Sequence, residues 1–472
     1  MLQDFVSSKR GSFAPGVHTE LRAQRSTNRR VVLYSGNLVQ NVRSESSGVC
    51  ARVWKNGVCG FSSMADLSDE AVSGVLKAAT DNAVFLDAHA GRNVPMFPAI
   101  PFGQAPDPTE RPDTPQTVYL DVVRQLDDYI SKKYPNLASR AVIGMADSME
   151  KVLSASDGWL SHSVAPRSYV MILMDAMTDA GAPVELYEAF GGAGQFGDLF
   201  QDPAALYGQI DDLYERVMKK REGVFADAGL KTVILGGKMS GMLAHEAVGH
   251  TVEADLVLGG SVAGPNLNKR VGSDLVNLVD FAHHAFGDVA PLPVWVDDEG
   301  TPARDVTLIE NGILKAFMNN RQFAQQLGME PTGNARAYAF SDEPLVRMRN
   351  TAVLPGKDKL EDMIASVEDG YYLVNSGNGQ ADLTGEFMFG VTEGYEIKNG
   401  KLGKALLDTT VSGVAFEMLK TVDMVSDNLT WVSSGMCGKK QPMPVSMGGP
   451  ELRCKIMIGG RGKGGEENEG SS

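Results

Sequence analysis

The chain of 472 residues has few of the side chains that do specialised chemistry: four cysteines, seven histidines and four tryptophans. Cys50, Cys59, Cys437 and Cys454 are too few and too scattered for a disulfide framework at this length, so reduced thiols are expected, one of them a candidate metal ligand. No stretch approaches the roughly 20 apolar residues that span a bilayer, and the chain reads as a globular protein without a membrane partner. Positive charge is also short: 44 Lys and Arg against 59 Asp and Glu leave a net charge of −15. Nucleic-acid affinity rests on neutralising phosphates with basic side chains, so direct binding of nucleic acid is not expected. The opening MLQDFVSSKRGSFAPG lacks the charged start, apolar run and cleavage site of a secretory signal, which makes the cytoplasm the expected location.

What is present suffices for more than one core, since the chain is longer than one ordinary domain and 43% of it is hydrophobic. Residues 37–64 alternate apolar and polar side chains around an Asn56-Gly57 pair, which predicts a hairpin. Residues 66–88 and 117–134 carry apolar positions at three- and four-residue intervals and predict amphipathic helices, with a third helical pattern around 204–228. A Pro-rich stretch at 93–115 separates the first two. Strands in 168–190 complete a mixture without strict βαβ alternation, so the fold class is α+β.

The main boundary is placed near residue 226. It gives an N-terminal α+β domain at 1–225, a sheet-rich C-terminal domain at 226–460, and a tail at 461–472 expected to be disordered because it has no apolar residue. Asn311-Gly312 and Asn399-Gly400 mark turns in the second domain. Its helices are few, at about 238–250, 357–368 and 412–420.

The first of these carries LAHEAVGHTVE, residues 243–253. His245 and His250 are five apart, which an ideal helix would separate by roughly 140°. Both reach one metal only if the helix widens into a π-type turn or ends between them. Gly249 suits either remedy because glycine is least penalised in unusual backbone conformations. Glu246 is placed to face the same cavity as a base. A catalytic site needs a further protein ligand and an open position, and Glu253, Asp255 or a distant cysteine are the candidates.

HEAVGH resembles the HExxxH motif of the TldD/PmbA family of metallopeptidases, in its TldD branch. The resemblance continues through DDEGTP, LIENGILKAFM, GMEPTGNARAYAF, RMRNTAVLPGK, GQADLTGEF and GMCGKKQPMPVSMGGP, in family order across roughly residues 232–460. It implies metal ligation by His245, His250 and the GMCG cysteine, Cys437, with Glu246 as the base, while Cys454 falls at an ordinary strand position. The metal implied is Zn²⁺, with Fe²⁺ an alternative for the same ligands. The implied activity is hydrolysis of short unfolded peptides or flexible segments. The implied assembly is a dimer enclosing its active sites, either with itself or with a PmbA/TldE-like subunit that lacks the metal site.

Three arginines, Arg336, Arg347 and Arg349, suit either a substrate carboxylate or oxyanion or else structural ion pairs. GAGQFG at 192–197 matches GxGxxG in form, but no βαβ unit surrounds it and nucleotide binding is not expected. The alternative to an enzyme is a noncatalytic, partner-binding regulator of the gyrase-modulator type with a structural metal.

Overall fold

A computed structural model describes residues 2–89, 105, 113–158 and 160–459. The tail at 461–472 and most of the Pro-rich stretch lie outside the described residues. The fold is α+β. A first sheet of six antiparallel strands runs in the order β3-β2-β1-β4-β5-β6, with β1 (His18–Tyr34), β2 (Asn37–Lys55), β3 (Val58–Met64), β4 (Ser139–Ala155), β5 (Leu160–Met177) and β6 (Pro183–Ala193). The β2–β3 turn is Asn56-Gly57, both at positive φ (47° and 81°), with Lys55 opposite Val58. That is the two-residue hairpin the sequence predicts, because Asn and Gly tolerate the left-handed backbone such a turn requires.

Five of the helices bear on this sheet or its ends. Besides α1 (Leu2–Ser7), which the sequence pattern did not suggest, α2 (Asp69–His89) lays Val72, Val75 and Ala79 against Leu21, Val49 and Val53. On another patch of the sheet, α3 (Gln116–Lys133) and α5 (Tyr207–Arg221) share a core with Val142, Val170 and Ile172. The GAGQFG segment runs off the end of β6 into a four-residue helix, α4 (Phe196–Leu199). β6 is an antiparallel edge strand, so the segment has none of the strand–turn–helix geometry of a dinucleotide loop.

The strand β7 (Gly229–Leu235) enters a second sheet. There Asp369–Ala381, β7, Leu452–Gly459, Thr409–Val414 and Glu386–Lys398 pair in sequence, and Asp369–Ala381 pairs again with Glu386–Lys398, closing a small barrel. A third sheet places Asn350–Val353 beside Met443–Gly449, which pairs in turn with Thr430–Cys437. Asn311-Gly312 and Asn399-Gly400 both adopt positive-φ turns. The helices expected at 357–368 and 412–420 are shorter, Leu360–Ala365 and Ala415–Leu419. In the second case, residues 409–414 pair as a strand with Glu386–Val391, and tertiary pairing overrides local pattern.

Charged residues of the first sheet meet the loop at 297–299. Lys151 is 2.8 Å from Asp298 and Arg52 is 2.9 Å from Glu299, all with little exposure. Among the described residues no helix is long and apolar enough to cross a membrane.

Candidate metal centre

After β7 the chain turns into one continuous helical segment: α6 (Gly237–Met242), a π-helical stretch over Leu243–Gly249, and a 3-10 turn over His250–Val252. The N–H of His250 donates to the carbonyl of His245, five residues back. That wider turn rotates the two imidazoles onto one side, with ring centroids 5.2 Å apart. Leu243, Ala247, Val248 and Val252 on the same segment are buried with Leu308, Met348 and Phe416, which fixes the histidines in a rigid interior.

Gly249 serves the turn differently from the sequence expectation. Its backbone is ordinary helix (φ −53°, ψ −48°), so conformational freedom is not what it supplies. A Cβ there would lie 2.1 Å from the sulfur of Met348; the residue gives space. The same logic brings the third candidate ligand close. A Cβ on Gly237 would lie 2.6 Å from the carbonyl oxygen of Gly449, so the helix rests directly on the strand Met443–Gly449. The neighbouring strand Thr430–Cys437 ends on Cys437, which is thereby carried to the histidines.

His245 Nε2 or Nδ1, His250 and Cys437 Sγ offer ligand atoms all within 4.8 Å of one another. The Cys437 sulfur is 3.3 Å from His250 Nε2. Ligands around one tetrahedral zinc lie about 3.5 Å apart, so the set needs only a small contraction to hold one ion. His245 is fully buried, yet neither ring nitrogen has a hydrogen-bond partner. An unsatisfied buried polar group costs about 1–3 kcal/mol, and a metal ion removes that cost. The donor set, two imidazoles and a thiolate, fits zinc.

Burial by itself would push the Cys437 thiol up, but the two imidazoles beside it, His250 within hydrogen-bond distance and His245 close by, more than reverse it and bring it down to about 4. His250 moves oppositely: burial disfavours its charge, and Glu253 with Cys437 lifts it to about 10. Glu246 Oε2 stands 3.6 Å from His250 Nε2, and Oε1 stands 3.9 Å from His245 Nε2. Its side chain is 23% exposed, the one part of the group that meets solvent appreciably besides His250.

Residues 228–460 match the family described as PmbA/TldA metallopeptidase C-terminal domain, and residues 19–83 match PmbA/TldA metallopeptidase domain 1. A protein named metalloprotease TldD homolog from Buchnera aphidicola subsp. Acyrthosiphon pisum is 33% identical over 71% of this chain and 70% of its own. The chain belongs to the PmbA/TldD family of metallopeptidases. A zinc metalloprotease TldD homolog from Saccharolobus solfataricus is 38% identical over 53% of this chain and 56% of that relative. Among solved structures, TldE from Thermococcus kodakarensis superposes with a TM-score of 0.74 at 17% identity, covering 97% of this chain and 100% of that one. At that identity the likeness is one of fold.

Two of the candidate ligands left open by spacing have other partners in this structure. Glu253 is fully buried and accepts from His250 Nδ1 at 2.8 Å and from Lys439 Nζ at 3.0 Å, while Lys439 also reaches Asp255 at 2.9 Å. Glu253 therefore stands behind His250, aiming Nε2 at the centre, and Asp255 is taken up by Lys439. Neither residue was assigned this role from sequence. The available signal was the three-residue step from His250 to Glu253, one helical turn. Cys454 is apart from the group, opposite Val233 in the barrel and packed in its apolar core, where burial pushes its thiol up.

The three arginines separate. Arg349 is fully buried in an ion pair with Asp280 at 2.9 Å and also donates to the carbonyls of Thr332, Gly333 and Arg304. Arg347, equally buried, donates to the carbonyls of Cys437, Lys439 and Gln441, clamping the turn after Cys437. Both hold structure. Arg336 donates from Nη1 to the carbonyl of Met348 at 2.6 Å.

Proposed function

We propose that the protein is a metal-dependent peptidase of the TldD type, with His245, His250 and Cys437 as ligands and Glu246 as the general base. The observation that carries this reading is the convergence of the three ligand atoms beside a part-exposed carboxylate, with the buried His245 nitrogens lacking any other partner. A divalent ion in such a site, Zn²⁺ or else Fe²⁺, supplies Lewis-acid polarisation of a scissile carbonyl. Glu246 takes the proton of the attacking water at its carboxylate. It then delivers that proton to the amide nitrogen as the C–N bond breaks. Glu253 holds His250 in the tautomer that presents Nε2, and Arg347 fixes the backbone of Cys437.

The substrates proposed are short unfolded peptides or flexible segments, because the centre lies in the interior of the fold and a compact domain cannot present its backbone there. The working unit is a dimer, either of this chain or with a PmbA/TldE-like subunit, in the cytoplasm, with no direct role for nucleic acid or membrane. In the division proposed here, 1–225 and 226–460, the proposed ligands and base all fall in the second unit. A noncatalytic regulator with a structural metal has no use for Glu246 beside the ligands, and this favours the enzyme.

The test is a digestion of mixed short peptides by protein stripped with a chelator and then restored with zinc. The expected outcome is cleavage that disappears on stripping and returns on restoration, with a destabilised protein substrate cut faster than its stably folded form. Equal cleavage with and without metal, or none in either state, overturns the reading.

A further inference from the structure

A cavity of about 1090 Å³ lies between β4–β6 and the segment 292–298. Arg336 and Met443 form part of its wall, and Met443 is the cross-strand partner of Cys437. None of the three candidate ligands lines the cavity; its link to the metal centre is this strand pairing of Met443 with Cys437. At the upper end of the range for small-ligand sites, roughly 300–1,000 Å³, it has room for a short peptide.

Most of the cations on this wall are already engaged. Lys151 sits 2.8 Å from Asp298, Arg167 makes two hydrogen bonds to Asp147, and Arg25 pairs with Glu45 and Glu150. Arg336 differs. It is 6% exposed, and among the described residues its one hydrogen bond is to a carbonyl, with no carboxylate at ion-pair distance. The acids of the wall are occupied: Asp298 by Lys151 and the N–H of Ala337, Asp297 by the N–H groups of Glu299, Thr301 and Ala335, and Glu150 by Arg25 and His162. Burial, and then the charge of Arg347, outweigh the opposing charges of Asp298 and Asp280 and bring the Arg336 guanidinium down to about 9. A buried guanidinium with no carboxylate in direct contact is incompletely compensated, and an entering anion improves its balance.

We propose that Arg336 is a substrate-binding residue that receives a carboxylate of the peptide in this cavity, so that short peptides carrying that carboxylate are preferred over uncharged ones. The planar guanidinium suits a carboxylate through paired N–H donors. Its carbonyl partner belongs to Met348, whose sulfur fills the space beside Gly249, the residue before His250. This inference rests on the peptidase reading for its substrate class, and its test separates the two.

One peptide is prepared as the free acid, as the C-terminal amide, and as the amide with a glutamate near its end. Binding to metal-free protein is measured by calorimetry, and hydrolysis by the zinc-loaded protein, for the unaltered chain and for Arg336→Met. The free acid is expected to bind about tenfold or more tightly than the amide, a ratio typical of losing a charged hydrogen-bonded partner. Arg336→Met is expected to abolish that ratio and to raise KM with little change in kcat. Recovery of tight binding by the glutamate-bearing amide supports a side-chain carboxylate as the recognised group; no recovery supports the C-terminus.

Equal binding of all three forms by the unaltered protein overturns the proposal, and so does a ratio that survives in a folded Arg336→Met. A variant that lowers kcat alone overturns it in favour of oxyanion stabilisation. Should Arg336→Met not fold, Arg336→Gln is compared in the same way, and a free-acid ratio that survives in that folded variant overturns the proposal. Preferential binding of the free acid without hydrolysis of any form removes the peptidase reading and leaves the carboxylate site standing.

Discussion

Replacing Glu253 with glutamine isolates the charge behind His250. Both donors to this residue, His250 Nδ1 and Lys439 Nζ, use Oε2, while Oε1 has no partner. Glutamine can place its carbonyl at Oε2 and its amide nitrogen at Oε1, keeping both hydrogen bonds and the volume while removing the negative charge. Partners behind metal-binding histidines contribute about 10–100-fold to metal affinity. With the hydrogen bond preserved, the lower end is expected for Glu253→Gln: zinc binding weakened about tenfold, or about 1.4 kcal/mol. The assay is competitive titration of the metal-free protein against a zinc-binding indicator, with circular dichroism to confirm the fold. Affinity unchanged within about twofold in a folded variant would refute the role given to Glu253. Complete loss of binding would refute it differently, by making the carboxylate a ligand.

Other outcomes follow from the same geometry. Cys437→Ser is expected to abolish stoichiometric zinc binding measured by atomic absorption, and Cys454→Ser to leave it intact; the reverse pattern overturns the ligand assignment. Glu246→Gln is expected to retain metal and fold but to lower peptide hydrolysis by about 100-fold or more, the scale of losing a general base; a variant that sheds its metal shows that Glu246 is a ligand or supports one. Asp298 is buried, and Lys151 and Arg22 more than offset the burial to hold its carboxyl below the usual range. A depressed carboxyl contributes stability that is present above its unfolded value, near 3.8, and is lost as pH falls through its folded one. Asp298→Asn should therefore lower the melting temperature at pH 7, by an amount equivalent to about 3–5 kcal/mol for breaking a buried pair. The gap to the parent should narrow only in acid below the ordinary aspartate range, and a gap constant down to pH 2 contradicts this origin.

Sequence by itself determined what depends on local backbone chemistry. The Asn-Gly pairs at 56–57, 311–312 and 399–400 set hairpin turns because Asn and Gly accept the required positive φ at least cost. The five-residue step from His245 to His250 demanded a distortion of the helix, since no straight helix puts both rings on one side, and the π stretch is that distortion. The apolar periodicity of 66–88 and 117–134 fixed two helices to within a few residues. Tertiary structure decided whatever depends on distant chain segments meeting. Gly249 gives way to Met348, Gly237 lets the helix settle on Gly449, and that settling carries Cys437 across nearly 190 residues of sequence to His250. Glu253 became the support of His250 because Lys439 and burial hold it there, and of the three arginines Arg347 and Arg349 were drawn inward by carbonyls and by Asp280 while Arg336 came to the cavity wall. A hydrogen-bond donor or a charge is assigned its role by what stands within about 3 Å of it, and in this chain that neighbour is most often far away in the sequence.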